Sequence, residues 1–168
     1  GRQPAAVLPP YADGLATRML LPVERSWERW WLAGLFNWTD DPRLARFEPQ
    51  QWGIADKPYH LYDAWTGQHS GAASGSVDLG DIPAHGVRLL AVHEHLGRPQ
   101  LVGSSLHLLG GAVELANETW VDNVLTLTLV CPGQRHGCLA VFVPEPHAYL
   151  SVQGADSVER SGDVLLVH

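Results

Sequence analysis

The clearest pattern in the chain is an alternation of apolar and hydroxyl side chains over residues 124–131, where leucines alternate with Thr126 and Thr128. A period of two with β-branched partners predicts a half-buried β-strand. Turn residues follow at 132–137, and a second apolar run covers 138–143 before Pro144. This pattern predicts a β-hairpin between the two runs.

Similar short runs predict further strands over residues 149–152, 157–160 and 164–167, with the last two joined by a turn at 161–163. In the first half of the chain, residues 59–63 and 87–93 lie between turn residues and predict two more strands. The small-residue stretch over 70–76 predicts a flexible loop.

The segment from Trp30 to Trp38 is ambiguous. Trp27, Trp30, Trp31 and Leu35 follow helical spacing behind Ser26, which could cap a helix. The run over 31–36 is apolar on every side, however, and turn chemistry follows it at 40–42. We therefore favour a central strand that is buried on both faces.

Short strands separated by turns at intervals of roughly 8 to 12 residues are typical of a β-sandwich. The sequence predicts an all-β, antiparallel fold, as one sandwich or as two packed β lobes. The best internal boundary lies at 94–100, where turn residues interrupt two β stretches. We expect a sandwich over 1–97 and an additional antiparallel β lobe over 98–168, which continues the sandwich or packs on it.

Composition and charge narrow the possible partners. The 168 residues carry a formal charge of -7, and Lys57 is the only lysine, so no basic cluster is available to bind nucleic acid phosphates. No apolar run approaches the ~20 residues that cross a bilayer, so we expect no membrane partner. The N-terminal sequence has no signal-peptide pattern. We expect a bacterial cytoplasmic protein, with secretion as the alternative, and a piece of a longer chain.

His93 and His95 are the best candidates for metal ligands. Residues two apart on an extended strand share a face, which is the spacing used in metal-binding sandwiches of the cupin type. Such a site also needs a nearby carboxylate and a distant histidine, and residues 96–99 supply neither. A polar strand end is therefore favoured over a small metal-dependent enzyme, and no cofactor is expected.

Cys131 and Cys138 flank a six-residue loop and could face each other across the predicted hairpin. Directly opposed residues bring Cα atoms to ~4.5 Å, the short end of the range for a disulfide. The alternative, which we favour, is two buried thiols in a reducing compartment.

Four tryptophans stand beside turn residues: Trp38, Trp52, Trp65 and Trp120. An indole left open to solvent offers a flat apolar face on which a sugar ring can stack. For each single tryptophan we favour burial in the core or against a neighbouring domain. An aromatic face that a neighbouring domain normally covers would have the same composition.

Three phrases, over residues 35–40, 59–67 and 81–90, together resemble the C-terminal β-sandwich of α-galactosidase-type glycoside hydrolases, the family 36-like and melibiase group. The likeness extends loosely over residues 99–111. Seven residues match the accessory-domain pattern: Asn37, Trp38, Asp63, Trp65, Gly67, His85 and Gly110. Their implied roles are turn formation, core packing or contact with the catalytic barrel.

The resemblance implies a catalytic (β/α)8 barrel upstream in the same parent chain, as the partner of this piece. It implies no catalytic residue here, because the matching residues belong to the accessory domain. The leading hypothesis is therefore a non-catalytic accessory domain that stabilises the barrel of a glycoside hydrolase, with carbohydrate contact as a further role. The alternatives are an independent carbohydrate-binding module and the cupin-like enzyme.

Overall fold

A computed structural model describes residues 5–12, 14–130, 136–145 and 151–168. Within these residues the chain forms fourteen strands and one short 3-10 helix, Pro49–Trp52, which confirms the prediction of an all-β, antiparallel fold. The strands are β1 Ala6–Ala12, β2 Leu15–Glu24, β3 Arg29–Phe36, β4 Arg43–Phe47, β5 Tyr59–Asp63, β6 His69–Ala73, β7 Val77–Ile82, β8 Val87–Glu94, β9 Gln100–Ser104, β10 Leu115–Val121, β11 Val124–Leu129, β12 Leu139–Phe142, β13 Val158–Ser161 and β14 Val164–Val167.

The largest sheet has six antiparallel strands in the order β1-β2-β3-β8-β5-β6. Strand β3 lies between β2 and β8, with Phe36 opposite Val87. The interpretation of the ambiguous tryptophan-rich segment as a central strand is therefore confirmed. At one edge of this sheet, the register of β1 shifts between Leu8 and Tyr11, where the sequence has two prolines.

Both faces of the six-stranded sheet are covered. On β3, Ala33 and Leu35 pack against the two-stranded β4–β7 sheet, while Trp30 and Leu32 pack against β9, β12 and β14 on the other side. Alternate residues of β3 thus enter two different cores. This is why the run is apolar throughout instead of alternating with polar residues.

A four-stranded sheet, in the order β13-β14-β12-β9, forms the next layer. Its outer face presents Leu101, Val141 and Leu165 to the β10–β11 hairpin, which contributes Leu115 and Leu127 to a third hydrophobic cluster. The result is a sandwich of two main sheets with a two-stranded sheet on each outer side. Gly103 lies at the close approach between the main sheets, where a Cβ would overlap the ring of Tyr62.

The predicted hairpin between residues 124–131 and 138–143 is wrong. Strand β11 pairs with β10, through a turn in which Asp122 and Asn123 both have positive φ. Such φ values at two successive residues favour a tight two-residue hairpin turn, and this local turn takes β11 as its partner. Strand β12 pairs instead with β9 and β14. The β13–β14 hairpin is confirmed.

Two other expectations need adjustment. Residues 70–73 of the predicted loop belong to strand β6 at the edge of the six-stranded sheet. Their small side chains let the β13–β14 turn approach, since a Cβ on Gly71 would lie 3.2 Å from Asp163 Oδ2. The predicted strand over 149–152 lies partly outside the described residues, and 151 and 152 are not in a strand. Cys131 also lies outside them, so the alternatives for Cys131 and Cys138 stay predictions.

The expected boundary coincides with the loop between β8 and β9, and the division into 1–97 and 98–168 stays a prediction. No helix among the described residues has the length and hydropathy of a transmembrane span.

Candidate functional site

One end of the six-stranded sheet carries a group of exposed apolar side chains. Strands β3 and β5 end here and β8 begins here, as the register from Phe36 opposite Val87 to Asp63 opposite Leu90 requires. The β1–β2 turn lies at the same end. The residues Tyr11, Leu15, Trp38, Trp65 and Val87 are between 38% and 56% exposed. We call these five side chains the aromatic edge.

Buried Asn37 connects two of the chain segments at this end. Its Nδ2 lies 3.1 Å from the carbonyl oxygen of Ile82 and 3.0 Å from that of Pro83. Its Oδ1 accepts hydrogen bonds from the backbone N–H and the hydroxyl of Thr39. The side chain therefore fixes the residues after β3 against the turn between β7 and β8.

Asp63 fixes the turn that carries Trp65. Its Oδ1 accepts hydrogen bonds from the backbone N–H groups of Trp65 and Thr66, at 2.9 and 3.0 Å. Gly67 closes the turn with φ +69, a conformation that favours glycine. On the other side, Asp63 Oδ2 lies 3.5 Å from Arg88 Nε. The turn-forming role that the resemblance implies for Asp63 and Gly67 agrees with this geometry.

The two tryptophans of the aromatic edge differ in freedom. The ring of Trp38 stacks on Phe36 at 5.4 Å between centroids, and its Nε1 donates to the carbonyl oxygen of Ala16 at 2.7 Å. Trp38 thus has one face covered and a fixed orientation. Trp65, at the tip of its turn, is 56% exposed. Its ring is the more accessible of the two.

A small polar cavity lies beside this turn, between the six-stranded sheet and β7. Its volume is about 130 Å³. The lining residues are Leu61, Asp63, Gln68, Ser70, Asp78, Leu79, Arg88 and Leu90. We call this cavity the polar pocket. Apart from Gln68, which belongs to the turn between β5 and β6, its side chains come from β5, β6, β7 and β8, so the sheet registers fix their spacing.

The expectation of an accessible ring at Trp52 is wrong. Its side chain is 2% exposed, stacks on Phe47 and lies under the guanidinium of Arg18. The turn residues beside it belong to the 3-10 helix that seals the first core. Trp120 lies on β10 and lines an apolar groove of about 720 Å³ between the β10–β11 hairpin and the four-stranded sheet. Trp120 therefore lies on a different sheet from the side chains of the aromatic edge.

His85 and Gly110 match the accessory-domain pattern at two other turns. His85 has φ 53, and its Nε2 lies 2.9 Å from Asp40 Oδ1 on the surface. Gly110 has φ +57, and a Cβ there would lie 3.1 Å from Cβ of Ala91. Both residues occupy positions where backbone conformation or close packing limits the choice of side chain.

His93 and His95 do not form a shared site. His93 is buried, stacks on Trp30, and its Nδ1 lies 2.9 Å from Glu28 Oε1. His95 bonds instead to His60. Within the described residues no group of three His, Cys, Asp or Glu side chains has the arrangement of a metal site. The two candidates therefore fail to converge because each ring has a different partner.

Three imidazoles and one carboxylate form a continuous chain of hydrogen bonds. Asp163 Oδ1 lies 3.0 Å from His69 Nδ1, His69 Nε2 lies 3.0 Å from His60 Nδ1, and His60 Nε2 lies 3.0 Å from His95 Nδ1. Because the Asp163 carboxylate accepts, each neutral ring must carry its proton on Nδ1. His69 then donates to Asp163, His60 donates to His69, and His95 donates to His60. The chain connects the β13–β14 turn to the six-stranded sheet.

Burial keeps His60 neutral. Together with the neighbouring histidines His69, His95 and His93, which act in the same direction, it lowers the pKa of His60 from 6.5 to about 3. Burial also lowers the pKa of His69, although Asp163 acts in the opposite direction. The contact between His69 and Asp163 at neutral pH is therefore a hydrogen bond from a neutral ring, not an ion pair.

Sequence reasoning found Trp38, Trp65, Asn37 and Asp63 but missed two groups. The polar pocket depends on Arg88 and Asp78, which come from different strands with no shared motif. The histidine chain joins residues up to 94 positions apart. One local signal exists on β5. Asp63 is two residues after Leu61 and shares its face of the strand, which places a carboxylate on a core-facing side.

The comparisons with known proteins assign no family to this chain. No family model matches the sequence, and no curated protein matches it. Among solved structures, the chain is similar to the crystal structure of α-galactosidase I from Mortierella vinacea, with 22% identity and a TM-score of 0.39. The match covers 50% of this chain and 22% of that chain. A likeness of this extent assigns neither a fold family nor an activity.

Proposed function

We propose that this chain is a non-catalytic accessory β-sandwich of a glycoside hydrolase, whose aromatic edge packs against an upstream catalytic (β/α)8 barrel. The observation that carries the proposal is the gathering of five exposed apolar side chains at one end of one sheet. Exposed apolar side chains that share one end of a sheet are typical of an interaction site. Burial of such surface stabilises both partners by about 25 cal/mol per Å² of apolar area.

The residues that carry the resemblance support this choice of partner. The phrases over 35–40 and 81–90 meet through Asn37 and the carbonyl oxygens of Ile82 and Pro83. The phrase over 59–67 reaches the second of these through Asp63 and Arg88. Three segments that are far apart in sequence therefore support the aromatic edge together. A shared supporting role explains why the likeness to α-galactosidase-type accessory domains is concentrated in them.

The test compares the full-length protein with the 168-residue chain. We expect the full-length protein, but not the chain alone, to hydrolyse p-nitrophenyl α-D-galactopyranoside. The double variant Trp38→Ala/Trp65→Ala should lower the Tm of the full-length protein by several degrees more than that of the isolated chain, because only the longer protein loses a covered interface.

The double variant Val121→Ala/Leu129→Ala is the matched control, since it removes exposed apolar side chains from the β10–β11 hairpin. It should change both proteins equally. Hydrolysis by the isolated chain, or an equal loss of Tm in both proteins for the aromatic-edge variant, would contradict the proposal.

An independent carbohydrate-binding module is the second candidate, and the exposed ring of Trp65 favours it. A solvent-facing indole on a hydrogen-bonded turn is a rigid apolar face for a pyranose. For this function, sugars should quench the tryptophan fluorescence of the isolated chain in a saturable manner. Loss of that quenching in Trp65→Ala would assign it to this ring.

A further inference from the structure

The polar pocket holds hydrogen-bonding groups that the rest of the described chain does not use. The Gln68 amide and the Ser70 hydroxyl have no side-chain hydrogen bond there, and the same is true of both terminal nitrogens of Arg88. Asp78 accepts from the backbone N–H of Gly80 through Oδ1 only. Three strands and the turn before β6 thus bring unused donors and acceptors to one cavity.

The charges of the pocket restrict its ligand. Asp63 and Asp78 would repel a phosphate or a carboxylate, while the guanidinium of Arg88 would repel a divalent cation. What remains favourable is a neutral ligand whose groups both donate and accept. Hydroxyl groups do both, since each carries one donor hydrogen and two acceptor lone pairs.

The position of Trp65 adds an apolar face. Asp63 and Gln68 line the pocket and also form the two ends of the turn, because the Asp63 N–H donates to the carbonyl oxygen of Gln68 at 2.8 Å. Trp65 lies at the tip between them. The exposed indole is therefore carried by the same turn as two lining residues of the pocket, although it does not line the pocket itself.

We infer that the polar pocket binds the hydroxyl groups of one sugar residue, with Arg88 and Asp78 as the principal partners and Trp65 beside the ring. The volume of about 130 Å³ is below that of pockets for drug-sized ligands, so one edge of a single pyranose enters it. Paired donors of a guanidinium suit two adjacent hydroxyl oxygens, and the carboxylate accepts from a third. The inference deepens the second candidate function, in which the ring of Trp65 stays free for a sugar, and rests on it for the choice of sugar.

The experiment is an NMR titration of the ¹⁵N-labelled 168-residue chain with methyl α-D-galactopyranoside, methyl α-D-glucopyranoside, inorganic phosphate and calcium chloride. We expect saturable shifts at the Trp65 indole and around residues 63–70 with at least one sugar, in the millimolar range of Kd. Phosphate and calcium should give no saturable shifts there.

Variants separate the pocket from the aromatic edge. Asp78→Asn keeps an oxygen for the Gly80 N–H, and Arg88→Gln removes the guanidinium; each should weaken sugar binding about tenfold. Arg29→Gln, an exposed arginine at the opposite end of β3, should leave binding unchanged. If Arg88→Gln fails to fold, Asp78→Asn, at an exposed position, decides alone.

Absence of sugar shifts up to about 100 mM, equal binding by wild type and Asp78→Asn, or preferential binding of phosphate or calcium would each overturn the inference. None of these results touches the barrel interface. That interface fails separately, when the aromatic-edge variant leaves the full-length protein no less stable than the control.

Discussion

Nε2 of His60 lies 3.0 Å from Nδ1 of His95, so two imidazoles share one proton position inside the protein. The second nitrogen of His60 faces His69, which in turn faces Asp163. His60 therefore has a neutral ring on each side and no anion in contact. A proton added to it would place a donor opposite the donor of His95, and the hydrogen bond would be lost.

This arrangement predicts acid sensitivity. The pKa of His60 is lowered from 6.5 to about 3 in the folded chain, chiefly by burial. Below pH 6.5 the unfolded chain therefore binds more protons than the folded one, so the stability from this residue is present above pH 6.5 and is lost as the pH falls toward 3. The difference in unfolding free energy between wild type and His60→Leu should decrease by about 1.4 kcal/mol per pH unit in this range.

Urea unfolding followed by circular dichroism between pH 7.5 and pH 4 measures this slope. His136→Leu, which removes an exposed histidine, is the control and should show no such pH-dependent difference. Parallel pH profiles for wild type and His60→Leu would show that His60 does not stay neutral in the folded chain.

Asn37 should be among the residues most sensitive to truncation. Asn37→Ala leaves the carbonyl oxygens of Ile82 and Pro83 without their side-chain donor and removes the acceptor for Thr39. We expect a loss of roughly 3 kcal/mol in unfolding free energy, because several hydrogen bonds of one buried amide are lost together, although the carbonyl oxygen of Pro83 keeps its bond from the Gly86 N–H. Asn117→Ala, on the exposed side of β10, should change stability by less than about 0.5 kcal/mol. Equal losses of unfolding free energy for the two substitutions would contradict the bridging role of Asn37.

Gly103 should tolerate no larger residue while Tyr62 is present. A Cβ at Gly103 would overlap the ring near its attachment to the backbone, where the side chain has least freedom to move. We expect Gly103→Ala to cost about 3 kcal/mol through overpacking. The double variant Gly103→Ala/Tyr62→Leu should be more stable than the sum of the single effects predicts. Additive effects in this double-mutant cycle would place the conflict elsewhere.

The stability effect of replacing a candidate tryptophan should depend on how deeply its ring is buried. Trp52→Ala removes a buried, stacked ring and should cost about 4 kcal/mol, whereas Trp65→Ala in the isolated chain should change stability by about 0.5 kcal/mol or less. Acrylamide quenching of the Trp52→Phe and Trp65→Phe variants checks the same contrast. Removal of Trp65 should lower the quenchable fraction, and removal of Trp52 should not.

Local pattern was sufficient for some elements. Period-two alternation and flanking turns locate β11, and uninterrupted apolar character locates β3 as a central strand. The predicted partner of β11 is wrong because the prediction relies on the turn residues at 132–137 and gives no weight to Asp122 and Asn123, two residue types that favour tight hairpin turns. Strand assignment depends on neighbours in sequence, whereas strand pairing depends on the turns between them.

The candidate site residues show the same difference between what local sequence predicts and what long-range packing determines. Turn residues identified Trp65 correctly as exposed but gave the opposite result for Trp52, because the 3-10 helix turns that ring into the core. His60 and His95 are 35 positions apart, and Asp163 lies in a turn between two strands of another sheet. The register of the strands and the packing of the layers bring such groups together. The spacing of residues along the chain predicts neither the register nor the packing.

The two prolines at the register shift of β1, Pro9 and Pro10, have a consequence for the protein in concentrated solution. Strand β1 is an edge of the six-stranded sheet, and proline has no N–H with which to recruit another strand. Two successive prolines interrupt the row of free backbone groups that would otherwise template growth of the sheet. Edge-to-edge aggregation is therefore suppressed at β1 by the covalent structure of the backbone itself, whatever the pH or the state of the neighbouring side chains.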